Sequence, residues 1–181
     1  MSYLSKLQKR ILDNPYFAVN NLNRDFIGTK GFSVVFRRSH LATVEEHFPY
    51  FMRYLRQALQ PDCNAFYLNP LLLKDGSRVD PHVDRSLRSY CKTINPPDIV
   101  SVLYVAVPQD LQGGELVLRS RQRNVGQIRP QANTLLFFQG DLTHSVNAVV
   151  SKGFRLSLVC EQYNLEETQL LDIPEFKLES R

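Results

Sequence analysis

From Ala65 to Tyr163 the chain is a succession of short segments rich in β-branched and aromatic residues and bounded by turn formers, with no long helical spacing among them. Segments 65–74, 98–107, 114–120, 125–129, 133–139, 144–150 and 153–163 read as strands. A chain that must bury so many strands forms an all-β core. Both faces of several segments are partly apolar, which suits two stacked sheets folded as a jelly roll. In the last segment Arg155, Ser157 and Val159 alternate with Phe154, Leu156 and Leu158, so the first three share a face. Segment 144–150 alternates in the same way and points His144 inward with Val146 and Ala148.

The first sixty residues have a different pattern. Leu4, Leu7, Ile11 and Leu12 predict a short amphipathic helix over 3–13, and Asn14-Pro15 stops it. Residues Gly31 to Phe36 predict a strand. Thr43 and Glu46 stand at capping-box spacing, and Val44, Phe48, Phe51, Met52, Leu55 and Leu59 form a wide apolar stripe in which Pro49 should kink or restart the helix. His40 and His47 read as surface or capping residues. The expected layout is one domain over 1–181, with 1–60 as helical support and 65–163 as the core. A chain of 181 residues, 43% hydrophobic, can bury one sizeable core, and no Pro/Gly/Ser-rich linker divides it.

Cys63, Cys91 and Cys160 are odd in number and far apart, so they read as packed thiols of a reducing compartment. Charges near Met1 argue against a signal peptide, and the apolar run 99–107 is too short to cross a bilayer. A soluble, cytoplasmic protein with no membrane partner is expected. The net charge of +4 is mild.

The chemistry-bearing stretch is Arg78-Val-Asp-Pro-His82-Val-Asp84, which sets an imidazole and a carboxylate two residues apart, on one face if the segment is extended. His144, after the apolar run Leu135–Phe138 and a Gln-Gly-Asp-Leu turn, supplies a third ligand. Two imidazoles and one carboxylate form a facial set that leaves coordination positions open and suits ferrous iron, although zinc accepts it too. Arg155 follows eleven positions after His144, across the turn Ser151-Lys-Gly153. Its planar fork pairs with a carboxylate through two parallel hydrogen bonds. That partner is either a ligand's carboxylate or an internal one, with Asp84, Glu115 and Glu161 as the internal choices.

His-x-Asp, a distal His, then Arg-x-Ser, the last two on predicted strands and all in that order, resembles the 2-oxoglutarate and iron(II)-dependent oxygenases, in particular their prolyl 4-hydroxylase-like branch. The resemblance runs from about Tyr67 to Gln162 and takes in Gly113-Gly-Glu-Leu116 and the strand around Tyr104. It implies a double-stranded β-helix, Fe(II) held by His82, Asp84 and His144, and 2-oxoglutarate oriented by Arg155 with Ser157, Tyr104 and Tyr67. It also implies O₂ as co-reactant, succinate and CO₂ as co-products, and hydroxylation of an unactivated C–H bond of a peptidyl, amino-acid or other small-molecule substrate. Where relatives often have Leu-Asn after the tyrosine strand, this chain has Val105-Ala-Val-Pro108. Asp84 is present, as hydroxylation rather than halogenation requires.

Arg119, Arg121, Arg123 and Arg129, with Arg85, Arg88 and Lys92, read either as a solvated face or as a basic rim that draws in an anionic substrate or acidic peptide. No base-stacking aromatic series accompanies them, which argues against nucleic acid. Two rival readings share the β-fold: a metalloenzyme that uses no keto acid, in which Arg155 pairs internally, and a non-enzymatic binding module.

Overall fold

A computed structural model describes residues 2–19 and 25–179. Helix α1 (Tyr3–Leu12) is capped by the Ser2 hydroxyl and buries Leu7 and Ile11. The short strands β1 (Ala18–Val19), β2 (Phe26–Ile27) and β3 (Lys30–Gly31) precede β4 (Ser33–Arg37). Helices α2 (Leu41–His47) and α3 (Met52–Ala58) follow, separated by a 3₁₀ turn over Pro49–Phe51. Pro49 therefore restarts the helix as its fixed φ and missing N–H dictate. The capping box expected at Thr43 and Glu46 is not formed. A 3₁₀ turn at Arg38–His40 feeds directly into Leu41, so Thr43 lies inside the helix, and its carbonyl is instead bonded by the His47 ring.

The remaining strands are β5 (Ala65–Lys74), β6 (Arg78–His82), β7 (Ile99–Ala106), β8 (Gln112–Gly113) and β9 (Leu116–Ser120). After them come β10 (Arg123–Ile128), β11 (Leu135–Gln139), β12 (Thr143–Val146), β13 (Val149–Val150) and β14 (Phe154–Tyr163). Helix α4 (Glu167–Asp172) and β15 (Phe176–Glu179) close the described chain. A large sheet runs β1-β3-β5-β14-β7-β11, with β4 also on β5 and β15 on β4. A smaller sheet runs β10-β9-β12-β6-β2. All pairings are antiparallel, as in the double-stranded β-helix.

Alternation gives the large sheet a core on each face, and a third cluster of Val35, Ala65, Leu87, Ile94, Tyr163 and Ile173 lies beside them. Leu68, Leu72, Leu103, Leu156, Leu158 and Cys160 point outward from the large sheet against Leu7, Ile11, Phe51 and Leu55 of the N-terminal helices. Leu71, Val102, Leu116 and Val146 fill the space between the two sheets. The helices thus cover one side of the large sheet, as the apolar stripe predicts. The expected strand 144–150 is split. Asn147 turns aside to bond Glu115 through its N–H and its amide, and Val149–Val150 pairs instead with Gln112–Gly113.

That second pairing depends on Gly113. Its φ is +70°, and a Cβ there would lie 2.0 Å from the Ala148 carbonyl oxygen. Gly113→Ala should lower stability by at least about 1–2 kcal/mol from the left-handed backbone alone, with the steric overlap adding to it. Urea unfolding of wild type and variant measures this.

Candidate active site

Strands β6 and β12 place the two imidazoles side by side, because His144 stands opposite His82 in their register. The ring centroids are 4.4 Å apart. Asp84, two residues past His82, returns its carboxylate between them: Oδ1 lies 3.2 Å from His82 Nε2 and Oδ2 lies 3.4 Å from His144 Nε2. One ligand atom from each residue lies within 4.8 Å of the other two. Both Nδ1 atoms are engaged behind the site, His82 with the Asp80 carbonyl at 2.8 Å and His144 with the Leu142 carbonyl at 3.2 Å. A carbonyl only accepts, so Nδ1 carries the proton and Nε2 presents a lone pair. Phe26 and Phe138 pack on the rings at 5.3 and 5.0 Å and hold their orientation.

Three electron-rich atoms facing one another require a positive charge among them. Burial opposes protonation of His82, but the hydrogen bond and charge of Asp84 outweigh it, so the His82 pKa lies above its ordinary value. Asp84 is buried, which favours its neutral form, yet the two histidines hold it well below the usual carboxylate range. A divalent cation meets the same demand, and the donor set fits iron(II).

The triad opens on a cavity of about 520 Å³ whose opposite wall is the inner face of β14. Arg155, Ser157, Val159 and Glu161 line it in turn. Arg155 is buried, with one guanidinium N–H donating to the Gly114 carbonyl at 2.8 Å. That carbonyl is presented by two successive glycines, each with φ of +70°. The guanidinium carbon lies 4.9 Å from the Tyr104 ring centroid. Among the described residues no carboxylate lies within ion-pair distance of Arg155, so Asp84, Glu115 and Glu161 are not its partners. Burial lowers its pKa, the mark of a charge awaiting a counter-charge. Four buried side-chain polar atoms lack a partner among the described residues, and three of them are here: Arg155 Nε, Ser157 Oγ and Tyr104 Oη. Ser157 and Tyr104 stand opposite each other on β14 and β7. Three convergent donors beside a cavity fit a carboxylate.

Tyr67 lines the cavity farther along, opposite Glu161 in the β5–β14 register, and accepts a 2.5 Å hydrogen bond from Ser33. Glu161 itself is 4% exposed. Its carboxylate accepts from the Ser86 N–H and hydroxyl and from the Tyr163 hydroxyl. Burial and the charge of Asp84 push its pKa up to about 8. From sequence it figures only as a partner for Arg155, although its place six residues on along the same face was available as a signal. Lys177 and Glu179, also on the wall, come from β15, which the strand pattern did not reveal. The basic residues Arg119, Arg121, Arg123 and Arg129 do not line the cavity.

A family model described as the 2OG-Fe(II) oxygenase superfamily matches residues 66–160. The chain belongs to that superfamily. Its members are enzymes that use Fe(II) and 2-oxoglutarate, and the His82-x-Asp84…His144 triad is present here. Among solved structures, a Pseudomonas putida prolyl-4-hydroxylase shares the fold at 16% identity and TM-score 0.56, covering 90% of this chain and 84% of its own. A Trichoplax adhaerens prolyl hydroxylase, solved with a hypoxia inducible factor oxygen degradation domain peptide, gives 14% identity and TM-score 0.55 over 93% and 80%. A Bacillus thuringiensis protein named IDO gives 12% and 0.56 over 91% and 85%. No curated protein sequence matches the chain. Among the described residues no helix is long and apolar enough to cross a membrane.

Metal binding should be pH-dependent with a definite sign. Iron requires neutral imidazoles and an ionised Asp84, so protons compete with it. Affinity is complete above the raised His82 pKa and is lost as pH falls through it, by about tenfold per pH unit for each proton displaced. Anaerobic Fe(II) titrations between pH 8 and pH 5 (about 8 to about 5, spanning the ordinary histidine range) would measure the slope, whose midpoint should lie above that of an unperturbed histidine.

Proposed function

We propose that this oxygenase hydroxylates an unactivated C–H bond of a peptidyl or amino-acid substrate, of the prolyl type, with His82, Asp84 and His144 as iron ligands and Arg155 as the anchor of 2-oxoglutarate. The observation that carries the reading is a buried arginine with no carboxylate partner among the described residues, across one cavity from a His-Asp-His set. Iron with 2-oxoglutarate supplies the oxidising chemistry: one O₂ is consumed, the keto acid becomes succinate and CO₂, and C–H becomes C–OH. The residues of this chain bind, orient and exclude water. His82 and His144 are held by the backbone carbonyls on their Nδ1 atoms, so Nε2 needs no reorientation to accept a metal. Arg155 takes the distal carboxylate of 2-oxoglutarate, with the Ser157 and Tyr104 hydroxyls as further donors. The metal, Asp84, the two carboxylates of 2-oxoglutarate and Arg155 together cancel in charge, as a water-poor pocket requires. Tyr67, well removed from Arg155 along the strand pair, we assign to the primary-substrate end of the cavity. The preference for a prolyl-type substrate draws on the neighbours named prolyl hydroxylases. The reading in which no keto acid is used needs an internal partner for Arg155, and no carboxylate serves as one among the described residues.

Iron-reconstituted protein should release succinate from 2-oxoglutarate with O₂, slowly even without primary substrate. His144→Ala should abolish stoichiometric iron binding while circular dichroism stays that of wild type. Removing one partner of a buried charge pair costs ~2–5 kcal/mol, so Arg155→Ala should weaken 2-oxoglutarate binding by roughly 30-fold to several-thousand-fold and leave metal affinity intact. Arg155→Lys should recover part of this, since a point charge reaches a carboxylate without the two parallel bonds. Ser157→Ala should lose about 1 kcal/mol. Anaerobic titration followed by the visible absorption of the iron–2-oxoglutarate complex measures each, and wild-type affinity in Arg155→Ala would make the arginine structural.

A further inference from the structure

Beyond the triad and the Arg155 end, the wall of the cavity carries a second buried charge that the chemistry above does not use. Glu161 stands on the same face of β14 as Arg155 but at its other end, so the strand holds them roughly 20 Å apart at about 3.3 Å per residue. The three donors it accepts from, two of Ser86 and one of Tyr163, leave part of the acceptor capacity of Oε1 free in a residue that lines the cavity. Among the described residues no cation lies within ion-pair distance of it. Lys177 is half exposed and already serves Glu179 at 3.6 Å, and Arg85 lies on the exposed rim. The three hydrogen bonds offset part of the cost of burying such a carboxylate, and an opposite charge or a proton meets the rest. The metal and 2-oxoglutarate do not supply that charge, because with Asp84 and Arg155 they already cancel. Glu179 adds a second carboxylate to this end and accepts from the Tyr90 hydroxyl, while the Tyr67 hydroxyl, which accepts from Ser33, keeps its O–H to donate.

We infer that Glu161 is the specificity-determining residue of the primary-substrate end, and that it accepts a hydrogen bond from a cationic nitrogen of the substrate, an ammonium or amidinium-type group. This rests on the oxygenase reading above and adds the substrate's chemistry to it. The reacting C–H bond then lies between that nitrogen and the triad, and an anionic substrate is disfavoured at this end despite the protein's net positive charge. The raised Glu161 pKa is in keeping with a group that is uncompensated until substrate arrives.

Benzamidinium, benzamide and benzoate are near-isosteric and differ in charge, so they test this directly. Each is titrated into anaerobic protein loaded with Fe(II) and saturating 2-oxoglutarate, followed by saturation-transfer NMR and by the shift of the visible band. Wild type should bind benzamidinium about tenfold or more tighter than benzamide, as one charge-assisted hydrogen bond implies, with benzoate weakest. Glu161→Gln keeps the shape and the acceptor for Tyr163, and it should bring benzamidinium to within about threefold of benzamide while benzamide binding holds. The same order of affinities in both proteins would overturn the inference. So would equal weakening of all three probes in Glu161→Gln, which would mark a positioning residue that holds the Ser86 turn. Benzoate binding tightest to wild type, or no probe binding at all, would overturn it without any variant. Absence of the iron–2-oxoglutarate band in wild type would sink the oxygenase reading and this inference together. A normal band without benzamidinium preference would sink the inference alone.

Discussion

The hydrogen-bonded register of β14 between β5 and β7 is the constraint on which the rest of the structure depends. All ten of its residues face partners on β5, and most of them also face partners on β7. A strand so enclosed has little freedom to slide. Its alternation sends Leu156, Leu158 and Cys160 against the N-terminal helices and sends Arg155, Ser157, Val159 and Glu161 into the cavity. A slip of one residue would exchange the two sets, burying an arginine and a glutamate under helices and lining the cavity with leucine. The contacts that stabilise the fold and the placement of its chemistry are thus one choice of register.

The site is built from groups that the protein leaves partly unsatisfied. Arg155 is a buried charge with no carboxylate at ion-pair distance among the described residues, Asp84 has only the two imidazoles facing it, and three hydroxyl or guanidinium atoms lack partners. Unpaired buried polar groups cost stability. The outer core of Leu, Phe and aromatic-packed helix residues supports that cost from the other side of the same sheet. Metal and 2-oxoglutarate, which bind the folded chain and satisfy these groups, should then stabilise it by mass action. A preorganised site of this kind loses little to rearrangement when its ligands arrive.

Much of this was legible in the sequence because the long strands carry their own pattern. Strand β5 matches its expected limits, and β14 differs from them by one residue. His144 and Arg155 were readable for the same reason, since each lies on a strand whose alternation gives its direction, whereas His82 and Asp84 were readable from their His-x-Asp spacing. Strand β6 was less visible. Arg78-Val-Asp-Pro-His82 has little β propensity and contains a proline, and it is extended because β12 and β2 pair with it. Strand β15 is four residues long and exists through its ladder to β4, so no local signal marks it. The Thr43 capping box failed because the preceding turn already supplies the first helical bonds. An Arg155–Glu161 ion pair could have been excluded from sequence, since six residues along one face of a strand is too far for the two side chains to meet.

The geometry at the metal finally depends on residues that do no chemistry. The triad belongs to the small sheet and the Arg155–Glu161 wall to the large one, so the gap between them is the spacing of two packed sheets, about 10 Å. Leu71 and Val102 on one side and Leu116 and Val146 on the other set that spacing while also lining the cavity. Packed interiors respond to the loss of even one methylene. Trimming Val102 or Val146 therefore does more than enlarge the pocket, because it lets the sheets approach or tilt and shifts the imidazoles relative to Arg155. A cosubstrate held as proposed, at one end by the Arg155 guanidinium and at the other by the metal, would tolerate little of that movement, since one molecule of fixed length would have to make both contacts. The substrate selection inferred for Glu161 would be exposed to the same movement, because Glu161 shares one strand with Arg155 and both are displaced together.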